Sequence, residues 1–200
     1  EGNQLNNLAL AYSNLGQFTS VIDYYQQALS IAKETNDKRG EGNRLGNFGN
    51  VLAQIGQYAE AISRLNEAIV ILQEIQAIDL LNYHHGYLAG AYWLSGDTEN
   101  ALTTIRQGEL YNLPANNFAI ATLHGCISYC AGHFTEAQTA FQSGLSHATN
   151  LLEKSANNYG ALYSRGLAYV GLWLASNDDS YYSLAETAYS HAKTVNNATG

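Results

Sequence analysis

The sequence has no methionine, a single proline, two cysteines and only nine lysines and arginines in 200 residues. The missing methionine, absent even at residue 1, leads us to expect a piece of a longer polypeptide. With one proline and 46% hydrophobic residues, the chain is too apolar and too little interrupted for a disordered segment. Nine basic against seventeen acidic residues leave a net charge of −8. That charge removes the electrostatic attraction behind most nonspecific affinity for nucleic acid and for anionic membranes, so neither is expected as a partner. No run approaches eighteen apolar residues, and the opening EGNQLNNLAL lacks the basic start and apolar centre of a secretion signal. The expected location is cytoplasmic. Cys126 and Cys130 lie four apart in an apparent helix, a spacing poorly suited to a disulfide, and are expected to be reduced and free of metal.

What is abundant is repetition. Residues 8–29 (LALAYSNLGQFTSVIDYYQQAL) align without gaps on 48–69 and 88–109, and Gly16, Gly56 and Gly96 recur every 40 residues at the shared turn. A fourth copy at 124–145 places Gly132 only 36 further on. Before each glycine, apolar residues such as Leu5, Leu8, Tyr12 and Leu15 recur at helical spacing. The glycine supplies the tight or left-handed backbone that ends this helix. A second helix follows with an aromatic and alanine stripe, Phe18, Val21, Tyr25 and Ala28 in the first copy, and Tyr58, Ala61, Leu65 and Ala68 in the second. Small residues at Ala28, Ala68, Gly108 and Gly144 let the helices approach. A fifth, weaker copy spans 157–176 and 183–192, with a turn that lacks glycine and looks about two residues longer. The expected fold is all-α: one array of about five helix pairs with repeats at 2–41, 42–81, 82–117, 118–156 and 157–194.

This pattern, L-G/A-x-x-Y-x-x-x-G-x-Y/F-x-x-A-I-x-x-Y-x-x-A-L, resembles the tetratricopeptide repeat signature. The period of 40, against about 34 for the family, and the string DKRGEGNRLGNFGN at 37–50 resemble the long-repeat subclass of kinesin light chains and Leu-Gly-Asn repeat proteins. Similar arrays occur in bacterial multidomain signalling proteins. The resemblance implies a right-handed superhelical solenoid of antiparallel helix pairs whose first helices line a concave groove. The closing proline of the family is missing from copies one and two, so their second helices are expected to run on by about a turn and a half.

Carried over by the turn glycine, the family's groove positions fall on Asn3, Asn6, Asn7, Leu10, Ser13 and Asn14 in the first copy. The second copy supplies Asn43, Gly46, Asn47, Asn50, Ala53 and Gln54, and the third Tyr83, Gly86, Tyr87, Gly90, Trp93 and Leu94. The fourth supplies Ala119, Thr122, Leu123, Cys126, Tyr129 and Cys130. The first half is an amide surface able to pair with the backbone of an extended peptide whatever its side chains. The second is aromatic, with Tyr83, Tyr87, Trp93 and Tyr129 as anchors and room at Gly86 and Gly90. The basic residues that grip a terminal carboxylate in chaperone-binding relatives have no counterparts here.

Other chemistry is weakly signalled. Cys126, Cys130 and His133 share a helical stripe, but paired C-x-x-C knuckles are lacking, and no metal or other cofactor is expected. His84 and His85 are adjacent and cannot face the same way, so at least one should be solvated. No phosphate-binding loop, G-x-S-x-G or H-E-x-x-H occurs, the acidic residues look scattered, and neither His124 nor His133 has an evident orienting carboxylate. Asn197 heads a glycosylation-type triplet to which we assign no role. The chain therefore reads as a binding module rather than an enzyme, taking a protein or peptide as partner. Self-association into an oligomer or filament, and small-ligand sensing within a signalling ATPase, are the rival readings.

Overall fold

The computed structural model describes the backbone of residues 2–14 and 18–199, and side chains throughout these except at 3, 10, 13, 14, 18, 19 and 197–199. Gly16 and the side chains of Asn3, Leu10, Ser13, Asn14 and Asn197 therefore lie outside the described residues. Ten helices, and no strand, occur among the described residues: α1 (Gly2–Asn14), α2 (Phe18–Glu34), α3 (Lys38–Gln54), α4 (Tyr58–Glu74), α5 (Ile78–Leu94), α6 (Thr98–Glu109), α7 (Asn117–Cys130), α8 (Phe134–Lys154), α9 (Tyr159–Ser176) and α10 (Ser180–Thr199). They form two compact units, residues 1–104 and 105–200, each a stack of helix hairpins.

The regularity of the first unit comes from one turn used repeatedly. Helices α2 to α5 are each seventeen residues long, and three residues separate each from the next. In these turns the middle residue takes the left-handed conformation, and the next N–H reaches back to the last helical turn, as in Gln57 N–H to Leu52 C=O at 2.9 Å. Gly56, Gly96 and Gly132 occupy the left-handed position at φ of 81°, 89° and 79°. Between hairpins the same geometry recurs at Asn36 and Gln76, at φ of 52° and 53°. The residue that closes one helix also opens the next: the Asp37 carboxylate accepts the Gly40 N–H at 2.8 Å.

With α3 beginning at Lys38, residues 38–41 lie in the first helix of the second hairpin, and α3 and α4 are equally long at seventeen residues. The last turn is also as short as the others, since α9 ends at Ser176, α10 begins at Ser180, and Asn177 adopts φ 57° in place of glycine.

Packing follows from the same periodicity. Nine residues past each turn glycine stand Tyr25, Leu65, Ile105 and Phe141, all essentially without solvent contact. Glycines on the facing helices make room: a Cβ on Gly42 or Gly49 would press on Leu72 or Leu65, and one on Gly125 or Gly171 would collide with the Phe141 ring. Helix α3 touches its own partner α4, the preceding hairpin's second helix α2 and the neighbouring first helices α1 and α5, and α5 packs against both α3 and α4. Such a helix is buried nearly all round. Both His84 and His85 are consequently buried, at 1% and 2% exposure, against the expectation that one would be solvated. His85 Nδ1 sits 2.8 Å from the Leu81 carbonyl, while the His84 ring fills the space over Gly46 with both nitrogens unpartnered.

Candidate functional site

This packing leaves the inner first helices α3 and α5 a narrow accessible stripe. On α3 it comprises Asn43, Asn47 and Asn50, ending at the exposed Gln54; on α5 the same offsets give Tyr83, Tyr87 and Gly90, ending at the exposed Leu94. Of the positions carried over by resemblance, Gly46, Ala53 and Gly86 are buried in helix contacts and do not line a surface. Gly90 has no heavy atom within 4 Å of where a Cβ would stand, so the room expected there exists.

The amide groups partly satisfy one another. Asn47 Nδ2 donates to Asn6 Oδ1 at 3.2 Å across α1 and α3, and Asn6 Nδ2 lies 3.5 Å from Asn7 Oδ1. Asn6 is buried, so it braces Asn47 while the exposed Asn7 remains on the surface. Beside this row the Tyr87 ring lies 5.7 Å from that of His84, and burial, then the neighbouring Tyr83, push its phenol pKa up. Trp93 is half-buried in the last turn of α5.

Tyr129 belongs to the second unit, where it packs edge-on against Phe134 at 5.3 Å between ring centroids. The stripe of α7 comprises Ala119, Leu123, Cys126 and the exposed Cys130, and Thr122 is buried. Both cysteines are free thiols. Burial, then the neighbouring Cys130, push the Cys126 thiol up to about 11, so it is inert near neutral pH. His133 does not continue their helical stripe, because α7 ends at Cys130 and His133 opens α8.

The second unit also holds a cleft absent from the sequence reading. Helix α6 stops at Glu109 after twelve residues, where a seventeen-residue helix would run to Pro114. Proline lacks the N–H for another helical bond and disfavours helix in the residue before it. The loop is tied instead by Asn117, whose Oδ1 accepts the Leu113 N–H at 2.9 Å. The missing turns leave a half-open cleft of about 860 Å³ with Ile120 and Ala121 of α7 and Ala140 of α8 among its lining, Thr135, Thr139 and Ser143 along α8, and Glu109 and Asn112 at the α6 end.

His124 spans one wall. Its Nδ1 is 2.9 Å from Glu109 Oε1 and its Nε2 2.9 Å from Glu136 Oε1, while Arg106 grips Glu136 through two bonds of 2.8 Å. Ionised carboxylates only accept, so satisfying both contacts requires a proton on each ring nitrogen. Burial lowers the His124 pKa, but the two carboxylates outweigh it and the net shift is upward. For Glu136 burial raises the pKa, and Arg106 and His124 overcome this to leave it lowered. Two of the acidic residues, Glu109 and Glu136, thus meet in one cleft, and His124 has both as carboxylate partners, which the sequence did not lead us to expect. The available signal was positional: thirteen residues past the turn glycine stand Leu29 and Ile69, both buried, and then Glu109, while eight residues before it stand Phe48, Leu88 and then His124.

No group of three or more histidine, cysteine or acidic side chains suited to a metal occurs among the described residues, and no described helix is long and apolar enough to cross a membrane.

Comparison with known proteins agrees with this architecture. The tetratricopeptide repeat family model matches residues 3–74. No curated protein matches the chain. Among solved structures, BtubC (BKLC) from P. vanneervenii is 17% identical with a TM-score of 0.75, over 98% of this chain and 80% of that one. The putative kinesin light chain TPR-like repeats of Podosopora anserina are 16% identical with a TM-score of 0.67, over 98% and 95%. MamA is 16% identical with a TM-score of 0.55, over 97% and 91%. At these identities the likeness is one of fold. Residues 3–74 are tetratricopeptide repeats, and the helix hairpins along the rest of the chain share the fold of solved proteins built from such repeats, kinesin-light-chain-like arrays among them.

Proposed function

We propose that the chain is a protein-interaction module, the recognition segment of a larger scaffold or sensor, and that the α3 and α5 stripes of the first unit hold an extended peptide. The observation that carries this reading is the accessible row Asn43, Asn47, Asn50 and Gln54 lying beside Tyr83 and Tyr87, with open space over Gly90. Amide side chains offer donor and acceptor together, so such a row pairs with peptide backbone independently of sequence. Tyrosine rings and Trp93 supply large contact area at low entropic cost, and the open space over Gly90 leaves room for an apolar side chain of the ligand. Asn6 holds the Asn47 amide in place, which reduces the ordering cost on binding. Two arrangements support a partner without a terminal-carboxylate anchor: the stripe carries no lysine or arginine, and the net charge is −8.

Selection from a random peptide library displayed on phage, followed by titration of the selected peptides against variants, tests this. Asn50→Ala and Tyr87→Ala should each weaken binding about ten-fold or more, as expected where a hot-spot contact is lost. Undiminished affinity in both variants, with helicity unchanged, would refute it.

A further inference from the structure

We propose that the cleft beside α6 is a second binding site, taking a lysine or arginine side chain on a peptide segment of a partner protein that lies where the last turns of α6 are missing. The site goes beyond the peptide-binding stripe and belongs to the other unit. Its volume, about 860 Å³, matches a bound segment of several residues rather than a gap between side chains. Internal comparison shows what such a surface needs. In the first two hairpins the chain's own second helix runs on beyond this point, and Leu29, Ile69 and Leu72 are buried there. In the third hairpin the helix is cut short, and Glu109 and Asn112 stand in the corresponding places, facing the open cleft.

Charge then selects the occupant. Glu109, Glu136, His124 and His147 line the cleft and no lysine or arginine does. The His124 imidazolium lies between the two carboxylates, so the group left to recognise a cation is whatever carboxylate oxygen remains unpaired. Arg106 spends its guanidinium on Glu136 through both bonds. Glu109 accepts from His124 through Oε1 alone, and its Oε2 has no partner among the described residues. A lysine or arginine placed with its aliphatic stem over Ile120, Ala121 and Ala140 brings its charged head to that free oxygen, so apolar stem and charged tip are both satisfied.

The test uses the full chain, labelled with ¹⁵N, and two capped alanine–leucine peptides that differ only in a central lysine or its uncharged isostere norleucine. The lysine peptide should shift the amide signals of Ile120, Ala121 and Ala140 and saturate. The norleucine peptide, and the lysine peptide with Glu109→Gln, should bind about ten-fold more weakly, as loss of a charge-assisted hydrogen bond dictates. Ser143→Trp, at an exposed position on the rim, should block binding while leaving helicity and Tm unchanged. The proposal fails if both peptides bind equally, if the lysine peptide leaves these three signals unmoved, or if folded Ser143→Trp protein binds like the wild type. Shifts confined to α3 and α5 would likewise overturn it while leaving the stripe reading intact.

Discussion

Acid should destabilise the first unit through one residue, His84. Its ring is 1% exposed, packed over Gly46, and neither nitrogen has a hydrogen-bond partner. Burial is the main cause and the neighbouring His85 the second, and together they push its pKa down to about 4 from an ordinary 6.5. In the unfolded chain the ring is in water and protonates near its ordinary value. The unfolded state therefore binds the proton first as pH falls, and folding stability is lost from about pH 6.5 downwards. Linkage between these two values gives a loss of about 3 kcal/mol at pH 4, a large part of a typical domain's stability. Urea unfolding of the wild type and of His84→Leu at about pH 7.5 and pH 4 isolates the effect, because carboxylates and the other histidines titrate in both proteins. The wild type should lose about 3 kcal/mol more than the variant across that interval. Equal losses would show that His84 is hydrated or finds a partner, and the enclosed packing of α5 would have to be abandoned.

Three further outcomes follow from named contacts. Gln76 holds a left-handed φ of 53° at a cost of about 1–2 kcal/mol for a residue with a Cβ, so Gln76→Gly should raise stability by up to about 1 kcal/mol after the added chain entropy; a lower Tm would contradict the turn geometry. His124 has the opposite sign from His84: its raised pKa gives stability that is complete below about pH 6.5 and declines as pH rises through the folded value. Thermal unfolding should show that decline in the wild type and not in His124→Gln, and parallel profiles would dissolve the Glu109–His124–Glu136 bridge. In the folded protein the exposed Cys130 should react with a thiol reagent well before the half-buried, high-pKa Cys126; equal rates, checked by mass mapping, would refute the partial shielding of Cys126.

The all-α repeat was legible because its signals are local and recur: a glycine every 40 residues, and an apolar stripe that sets Tyr25 and Leu65 at the same offset. The turn at Gln76 was not, because glutamine carries no left-handed signal, and Asn36, though asparagine tolerates that conformation, marks it less sharply than glycine does. Helical periodicity also misjudged His84 and His85. It assigns one buried face, whereas α5 packs against both α3 and α4 and is buried around most of its circumference. The stripe residues Asn43, Asn47 and Asn50 could be placed from the family's positions, but Gly46 and Gly86 could not be told from them without the packing of neighbouring helices. The cleft was hidden for a different reason. A four-residue shortening and Pro114 announce an irregular junction, but the bridge from Glu109 through His124 to Glu136 joins residues on three helices whose approach no single segment encodes.

The central claim, that the first-helix stripe of the first unit is the recognition surface, is tested most directly by mapping a bound peptide on it. A library-selected peptide titrated into ¹⁵N-labelled protein should move the amides of Asn43, Asn47, Asn50, Tyr83 and Tyr87, and Trp93→Ala or Asn47→Ala should weaken it while keeping the fold, by about 2 kcal/mol for a true aromatic anchor. A footprint on α2 and α4 instead, with wild-type affinity in both variants, would contradict the account and place recognition on the second helices.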